Sequence, residues 1–166
     1  MKILLAVDGS PASARATRHV VQLARTMAEP PMLVVFHADA PLPRIAALEL
    51  GVQGTADYHA DNADHALRAV RTALRRARLA FIEKVVVAEP APAILRHVRA
   101  ARADLVVMGT RGRGAIEGLL LGSVARKVVA GAGIVYVGYP RLSALGAPIT
   151  PRHRSIRSEL FQIRKI

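Results

Sequence analysis

The residue types and spacing that most suggest chemistry lie between Gly109 and Ser123, where the sequence reads GTRGRGAIEGLLLGS. Two residues separate Gly109 from Gly112, and nine more lead to Gly122-Ser123. Glycine has no Cβ atom, so its main-chain N–H group can approach an anion closely. A serine hydroxyl and the N–H groups at a helix N-terminus are donors to phosphate oxygens. The spacing therefore predicts a phosphate-binding loop.

The same loop carries Arg111 and Arg113, whose charges would attract phosphate. The loop is not of the Walker type, because Gly-Lys-Ser/Thr is absent, and it is not a dinucleotide fingerprint, whose glycines follow the first strand. The alternative is that these glycines only form a tight turn between a strand and a helix. A short glycine pattern by itself leaves both interpretations open.

Two further polar residues follow predicted strands. Asp8 comes directly after a buried apolar run, where it either serves a ligand at the carboxyl end of the strand or hydrogen-bonds its own turn. His37 follows the second apolar run, and we expect a structural role for it because no carboxylate or second histidine stands at metal-ligand spacing. No general base accompanies the loop, so we assign no catalytic residue.

Buried strands and amphipathic helices must position these residues. Short apolar runs without alternation are typical of parallel strands covered on both faces. The sequence predicts an α/β fold with a five-stranded, parallel, doubly wound sheet and about four helices. Residues 39–60, with two prolines and two glycines, are predicted as a mobile loop containing one helical turn at 46–50. Predicted strands span 3–7, 32–36, 85–88, 105–108 and 134–137, and predicted helices span 11–28, 61–80, 90–101 and 119–130.

Composition limits the class of protein. A chain of 166 residues fits one compact domain. The absence of cysteine excludes disulfides, thiolate catalysis and cysteine-ligated metals. The first apolar run is too short for a signal peptide or a transmembrane segment, so we expect a cytoplasmic location.

The net charge of +12 would attract nucleic acid, nucleotide phosphates or acidic lipid headgroups. Residues 140–166, the basic tail, contain six Lys and Arg residues against one Glu, so +5 of that charge lies there. Ile156, Leu160 and Ile163 are spaced as on one face of a helix, which predicts an amphipathic segment able to dock on the domain or on a partner. We expect a domain over residues 1–139 and an extension over residues 140–166.

Residues 1–139 resemble the universal stress protein family, whose ATP-binding members carry Gly, two residues, Gly, nine residues, Gly, then Ser or Thr. The shared features are the opening strand with Asp8-Gly9-Ser10, the LVVFHA run, the Glu89-Pro90 turn, and the segments ADLVVMGTRGRG and GSVARKVV. The resemblance implies a Rossmann-like fold of the adenine nucleotide alpha hydrolase-like type. It also implies ATP with Mg²⁺ or Mn²⁺ as the ligand.

The resemblance gives each matching residue a role. Asp8 would lie by the ribose and the phosphate-bound metal, the main chain of Ala38 would meet the adenine, and Met108 would line its apolar side. The loop would wrap the ribose and phosphates. Gly109 and Gly112 would lie at the ribose and first phosphate, and Gly122 and Ser123 would lie at the outer phosphates. Arg111 would add electrostatic attraction to the phosphates.

Two positions depart from the family pattern. Ala38 stands where the family usually has Val, and Ala88 stands where Gly is common. The basic tail has no counterpart in the family pattern. The family also implies a homodimer formed through the last strand, from Ile134 to Val137.

The leading hypothesis is an ATP-binding stress-response or signalling module with slow ATP hydrolysis at most. The alternative is a nucleotide-independent interaction module whose basic tail binds nucleic acid or another acidic partner. An adenylating or pyrophosphatase enzyme of related fold is disfavoured because the chain lacks a Ser-Gly-Gly loop.

Overall fold

The computed structural model describes residues 1–110, 112 and 121–132, together with the backbone of residues 135–138. The basic tail and most of the loop between Thr110 and Leu121 lie outside the described residues. No helix in the described part of the chain is long and apolar enough to span a membrane. Strands and helices alternate as β1 (Lys2–Ala6), α1 (Pro11–Arg25), β2 (Met32–Asp39), α2 (Arg44–Arg76), β3 (Phe81–Val87), α3 (Pro90–Ala101), β4 (Leu105–Gly109), α4 (Ser123–Gly131) and β5 (Val135–Gly138).

The strands form one parallel sheet in the order β3-β2-β1-β4-β5. β1 is central, with Leu5 in register with Val35 of β2 and with Val107 of β4. The chain runs from β1 outward to β2 and β3, and then crosses back to β4 and β5, so strand order reverses between β1 and β4. The predicted α/β class, parallel sheet and four helices are confirmed.

Helices cover both faces of the sheet, which explains the unbroken apolar runs. Ile3 and Leu5 pack with α1 and α2 on one face, whereas Leu4 and Ala6 pack with α3 and α4 on the other. Side chains of adjacent strand residues point to opposite faces, so a strand covered on both sides must be apolar at every position. Ile3, Leu4 and Leu5 are fully buried.

The turn after β1 begins α1 as the sequence predicts. Ser10 is the N-cap, and its hydroxyl accepts a hydrogen bond from the Ser13 main-chain N–H at 3.2 Å. Pro11 occupies the first helical position, where its missing N–H group has no helical partner to lose. Gly9, with a φ of 79°, supplies the left-handed conformation that this turn requires.

The prediction of a mobile loop over residues 39–60 is wrong, because α2 begins at Arg44. Its two segments meet at a kink at Gly51, whose φ of 68° is outside the helical range. The Thr55 hydroxyl donates across the kink to the Ala47 carbonyl at 3.4 Å. Residues 44–58 are mostly exposed, so they show none of the core-facing periodicity by which a helix is recognised from sequence.

Several predicted boundaries also differ from the structure. β3 covers residues 81–87 rather than 85–88, because its charged Glu83 and Lys84 interrupt the apolar pattern of an edge strand. α1 ends at Arg25 and α2 at Arg76, three and four residues before the predicted ends. The helix predicted from residue 119 begins at Ser123, since Leu121 and Gly122 are not helical.

A partly buried polar pair attaches α2 to the end of β2. The Asp39 carboxylate lies 2.6 Å from Nδ1 of His59 and accepts a hydrogen bond from the Asn62 amide at 3.0 Å. Burial acts to raise the pKa of Asp39, but these hydrogen bonds and the attraction of the His59 and His37 rings outweigh it and hold the pKa below its usual value. No sequence pattern indicated a role for His59, because its partner Asp39 lies 20 residues away.

A second polar contact joins α2 to β3. Nε and an Nη atom of Arg71 each donate to a different Glu83 oxygen at 2.8 Å, and its other Nη atom lies 2.5 Å from Asp64. These contacts hold the pKa values of Glu83 and Asp64 below their usual range. Arg71 therefore links α2 to β3.

We predict that Asp39 contributes pH-dependent stability. A carboxyl group whose pKa is lower in the folded state stabilises the protein above its unfolded pKa, and that contribution disappears as pH falls through the folded pKa. The difference in unfolding free energy between wild type and Asp39→Asn should therefore be largest above about pH 5 and shrink below about pH 4. Urea unfolding at a series of pH values measures it, with Asp61→Asn, an exposed change on the same helix, as control. A difference independent of pH would contradict the assignment.

Candidate functional site

A cavity of about 250 Å³ lies where the carboxyl ends of β1 and β4 separate. This is the point of strand-order reversal, at which ligands bind in open α/β sheets. The residues around it come from the ends of β1, β2 and β4, from the turns that follow, and from the N-terminal parts of α1, α3 and α4. The switch in topology thus produces the concavity.

One side of the cavity is apolar. Phe36 and Ala38 approach it from β2, Met108 from β4, Ile94 from α3 and Val124 from α4. Phe36 is fixed from behind by the His97 ring, which stacks on it with the centroids 4.9 Å apart. An apolar slot with only a few polar groups at its edge suits a flat, weakly polar ring system.

The polar end of the cavity is organised around Asp8. Its Oδ1 atom accepts hydrogen bonds from the Ser10 main-chain N–H, at 3.0 Å, and from the Ser13 hydroxyl. The Asp8 main-chain N–H in turn donates to the Ser13 hydroxyl oxygen at 3.0 Å. Asp8 therefore hydrogen-bonds its own turn, which confirms that interpretation, and it also lines the cavity. Its role toward a ligand stays a prediction.

Gly112 passes close to this carboxylate. A Cβ atom added at Gly112 would lie 2.8 Å from Oδ2 of Asp8, closer than carbon and oxygen atoms normally approach. The absence of a side chain brings the main chain of the loop directly onto the polar end of the cavity. The spacing of Gly109 and Gly112 thus serves close main-chain approach.

Gly109 serves a different contact. An added Cβ would stand 2.6 Å from the Ala12 Cβ atom and 2.8 Å from the Ala12 carbonyl carbon. The end of β4 is thereby pressed against the start of α1, with no room for a methyl group. This close packing sets the distance between Asp8 and the loop that leaves β4.

The loop returns to its starting point before α4 begins. The Gly122 main-chain N–H donates to the Thr110 carbonyl at 2.7 Å. Gly122 is then the N-cap of α4, where no side chain caps the helix and no acidic residue stands in the first turn. The N–H groups of the first helical residues have no helical acceptors, and the helix dipole places partial positive charge there. Ser123, Val124 and Ala125, the first residues of α4, line the cavity.

The structure brings seven of the eight predicted site residues around this one cavity, and the eighth, Arg111, lies outside the described residues. The seven are Asp8, Ala38, Met108, Gly109, Gly112, Gly122 and Ser123.

Sequence reasoning missed Ser13 and Thr110 on the polar side and Phe36 and Ile94 on the apolar side. Ser13 could have been found from its place three residues after the N-cap, where its hydroxyl can reach back to Asp8. Phe36 and Ile94 carried no signal, because an apolar residue that lines a cavity looks like core in a sequence.

His37 is outside this cavity. Its side chain is buried, and Nδ1 donates to the Val7 carbonyl at 2.8 Å across the sheet. Nδ1 must then carry the proton, and Nε2 has no hydrogen-bond partner in the described part of the structure. The geometry agrees with the structural role expected from the sequence.

The chain matches the model of the universal stress protein family over residues 1–134. The protein belongs to this family. It is 35% identical to a universal stress protein of Thermus aquaticus over 140 residues, which cover 77% of this chain and 90% of that protein.

Solved universal stress proteins share the fold. One, crystallised in complex with cAMP, superposes with a TM-score of 0.61 at 25% identity and covers 84% of this chain and 97% of that one. A family member from Arabidopsis thaliana with AMP bound has a TM-score of 0.58 at 15% identity, covering 89% and 96% of the two chains.

We predict that Gly109→Ala disrupts the site while Gly131→Ala does not. The alanine methyl at 109 would collide with the backbone of α1, whereas at 131 it would meet the flexible end of Leu95, 2.7 Å away. Overpacking against an unyielding neighbour costs roughly 1–3 kcal/mol. Urea unfolding should show a loss of this size for Gly109→Ala and a smaller one for Gly131→Ala. Equal losses would mean that α1 yields as easily as a leucine side chain.

Proposed function

We propose that this universal stress protein binds ATP and acts as a nucleotide-dependent stress-response or signalling module. The observation that carries the proposal is one cavity, at the strand-order reversal, with an apolar slot on one side and the uncapped start of α4 on the other. A nucleotide has the same division, with a flat base at one end and anionic phosphates at the other. The complexes of related proteins with cAMP and AMP support an adenine nucleotide as the ligand class.

In this proposal the base occupies the apolar slot beside Phe36 and Met108, next to the main chain of Ala38. Ala38 is smaller than the Val usual in the family, so the slot is wider at this point. The loop main chain at Gly109 and Gly112 would follow the ribose and first phosphate, because both positions exclude a side chain. The N–H groups and hydroxyl at Gly122 and Ser123 would donate to the outer phosphates.

Asp8 is the proposed ligand of a divalent cation carried by the phosphates. Among the described residues no three His, Asp or Glu side chains cluster as a metal site, so the proposed cation is one that the phosphates bring with them. Mg²⁺ typically binds to proteins through one or two carboxylates together with substrate phosphates, and Mn²⁺ favours similar oxygen ligands. One carboxylate at the polar end of the cavity fits that pattern.

The proposal is of binding, with hydrolysis slow at most. Asp8 is the only titratable side chain among the described residues that line the cavity. Its Oδ1 atom is already engaged by the turn, and efficient phosphoryl transfer needs a positioned water or acceptor as well as ordered metal ligands. In this proposal, bound ATP acts through the conformation that it favours.

Dimerisation through the last strand remains part of the proposal. The strand predicted from Ile134 to Val137 corresponds to β5, Val135–Gly138, at one edge of the sheet. An edge strand carries unpaired main-chain groups that another strand can satisfy.

The competing function, an interaction module that does not use nucleotide, would leave the cavity without a ligand.

Calorimetric titration with ATP and Mg²⁺ or Mn²⁺ tests the proposal. Wild type should bind with saturation below millimolar ATP, and Gly122→Val should abolish binding by placing a branched side chain where the outer phosphates must lie. Ala130→Val, on an exposed position of the same helix, is the matched control and should bind as wild type does. No heat of binding from wild type at millimolar ATP would refute the nucleotide proposal and favour the interaction module. Unchanged ATP affinity in Gly122→Val would mean that the phosphates bind at another place.

The metal role of Asp8 makes a separate prediction. Asp8→Asn should weaken ATP binding roughly tenfold with Mg²⁺ present, because a charged ligand is lost, and much less in EDTA. Titrations in the two conditions measure this difference, and Asp57→Asn, outside the cavity, controls for net charge. An equal loss in both conditions would limit Asp8 to shaping the turn.

A further inference from the structure

The first part of α2 has an unusual surface. Residues 45–67 contain four acidic residues and no Lys or Arg, although the whole chain carries a net charge of +12. Within this stretch, residues 45–58 form what we term the acidic-apolar surface. The charge of this surface is therefore opposite in sign to the net charge of the whole protein.

Large apolar side chains stand out on this surface. Ile45 is 75% exposed, Leu48 72% and Val52 92%, whereas the later part of the same helix buries Leu67, Val70 and Leu74 in the core. Three such side chains within eight residues are more than the scattered apolar residues of an ordinary surface. The Thr55 hydroxyl donates to the Ala47 carbonyl across the kink at Gly51, and the Gln53 amide donates to Asp57 in the segment after it. This part of α2 therefore presents a formed surface whose large apolar side chains no other described residue covers.

The acidic side chains of this surface form no ion pair with the described residues. Asp64, beyond the surface, is taken by Arg68 and Arg71. Glu49 on the surface and Asp61 just after it form no ion pair with the described residues. A cover for this surface should accordingly be apolar on one face and basic around it.

The basic tail has that composition. Ile156, Leu160 and Ile163 recur at the spacing of one helix face. Around them stand five basic residues and one acidic residue between 152 and 165: Arg152, Arg154, Arg157, Glu159, Arg164 and Lys165. Apolar residues with basic flanks match an acidic-apolar surface in both respects.

The tail also starts within reach. β2 and β5 are parallel, so Asp39 and Gly138 end at the same edge of the sheet, and α2 begins five residues after Asp39. In the strand order the two ends are three spacings apart, roughly 14 Å. Residues 139–155 could extend to about 55 Å, so the distance is no obstacle.

We propose that residues 152–166 of the basic tail dock on the acidic-apolar surface of the same chain. Ile156, Leu160 and Ile163 cover Ile45, Leu48 and Val52, while the flanking arginines face Glu49 and Asp57. Docking of this kind uses one apolar helix face as the anchor and charge for orientation. It also keeps the tail's positive charge away from other polyanions.

Disulfide trapping in the full-length chain tests this docking, because the protein has no native cysteine. Leu48→Cys combined with Leu160→Cys should form an intramolecular disulfide at least about tenfold faster than Thr72→Cys combined with Leu160→Cys. Thr72 is an exposed position on the later, basic part of α2 and serves as the matched control. Adding Glu49→Lys and Asp57→Lys to the first pair should slow trapping several-fold, and so should high salt. Non-reducing electrophoresis with mass spectrometry reads the products, and circular dichroism verifies that each variant is folded.

Equal trapping rates for the two pairs would overturn the proposal, since the tail would then be sampling α2 at random. A covalent dimer as the main product would also overturn it and assign the surface to the tail of a second copy. Trapping rates that the two lysine substitutions leave unchanged would contradict the charge complementarity on which the docking rests. These outcomes are independent of whether the cavity binds ATP.

Discussion

The site depends on the position of β1, which pairs with β2 on one side and β4 on the other while helices bury both of its faces. After β1 the chain turns to the face that holds α1, and after β4 it turns to the face that holds α4. Two neighbouring strands whose connections leave in opposite directions separate at their carboxyl ends. The cavity is the space between those connections, and its residues are brought together by the sheet rather than by proximity in sequence.

Glycines then adjust the walls of that space. Gly109 lets the end of β4 touch α1, and Gly112 lets the loop touch Asp8. The hydrogen bond from Gly122 to the Thr110 carbonyl brings the loop back to the end of β4, so α4 starts beside the cavity. A side chain at Gly109 would collide with the start of α1, and one at Gly112 would collide with the Asp8 carboxylate. Small residues here set distances, while the polar groups at the cavity include main-chain N–H groups, Ser13, Thr110 and one carboxylate.

α2 divides into two parts with different physical roles. Its later part covers the sheet with apolar residues and is joined to β2 and β3 by the Asp39–His59 and Arg71–Glu83 contacts. Its earlier part adds nothing to the core and presents acidic and apolar side chains to the outside. The kink at Gly51 lies within that earlier part, which allows it to change direction independently of the core. Because this surface takes no part in packing the core, its side chains are available for docking.

The sequence by itself determined the α/β class, the buried strands, the start of α1 and the family. Apolar runs, the Ser10-Pro11 cap and the glycine spacing are local patterns with local causes. It also indicated Asp8 and the glycine loop as parts of one site, because strand ends in a parallel sheet share an edge. Only the tertiary structure decided that α2 begins at Arg44, that His59 pairs with Asp39, and that Phe36 and Ile94 line the cavity. Exposed helices lack core periodicity, and contacts between distant residues depend on how the elements pack, so neither is encoded in any short stretch of the chain.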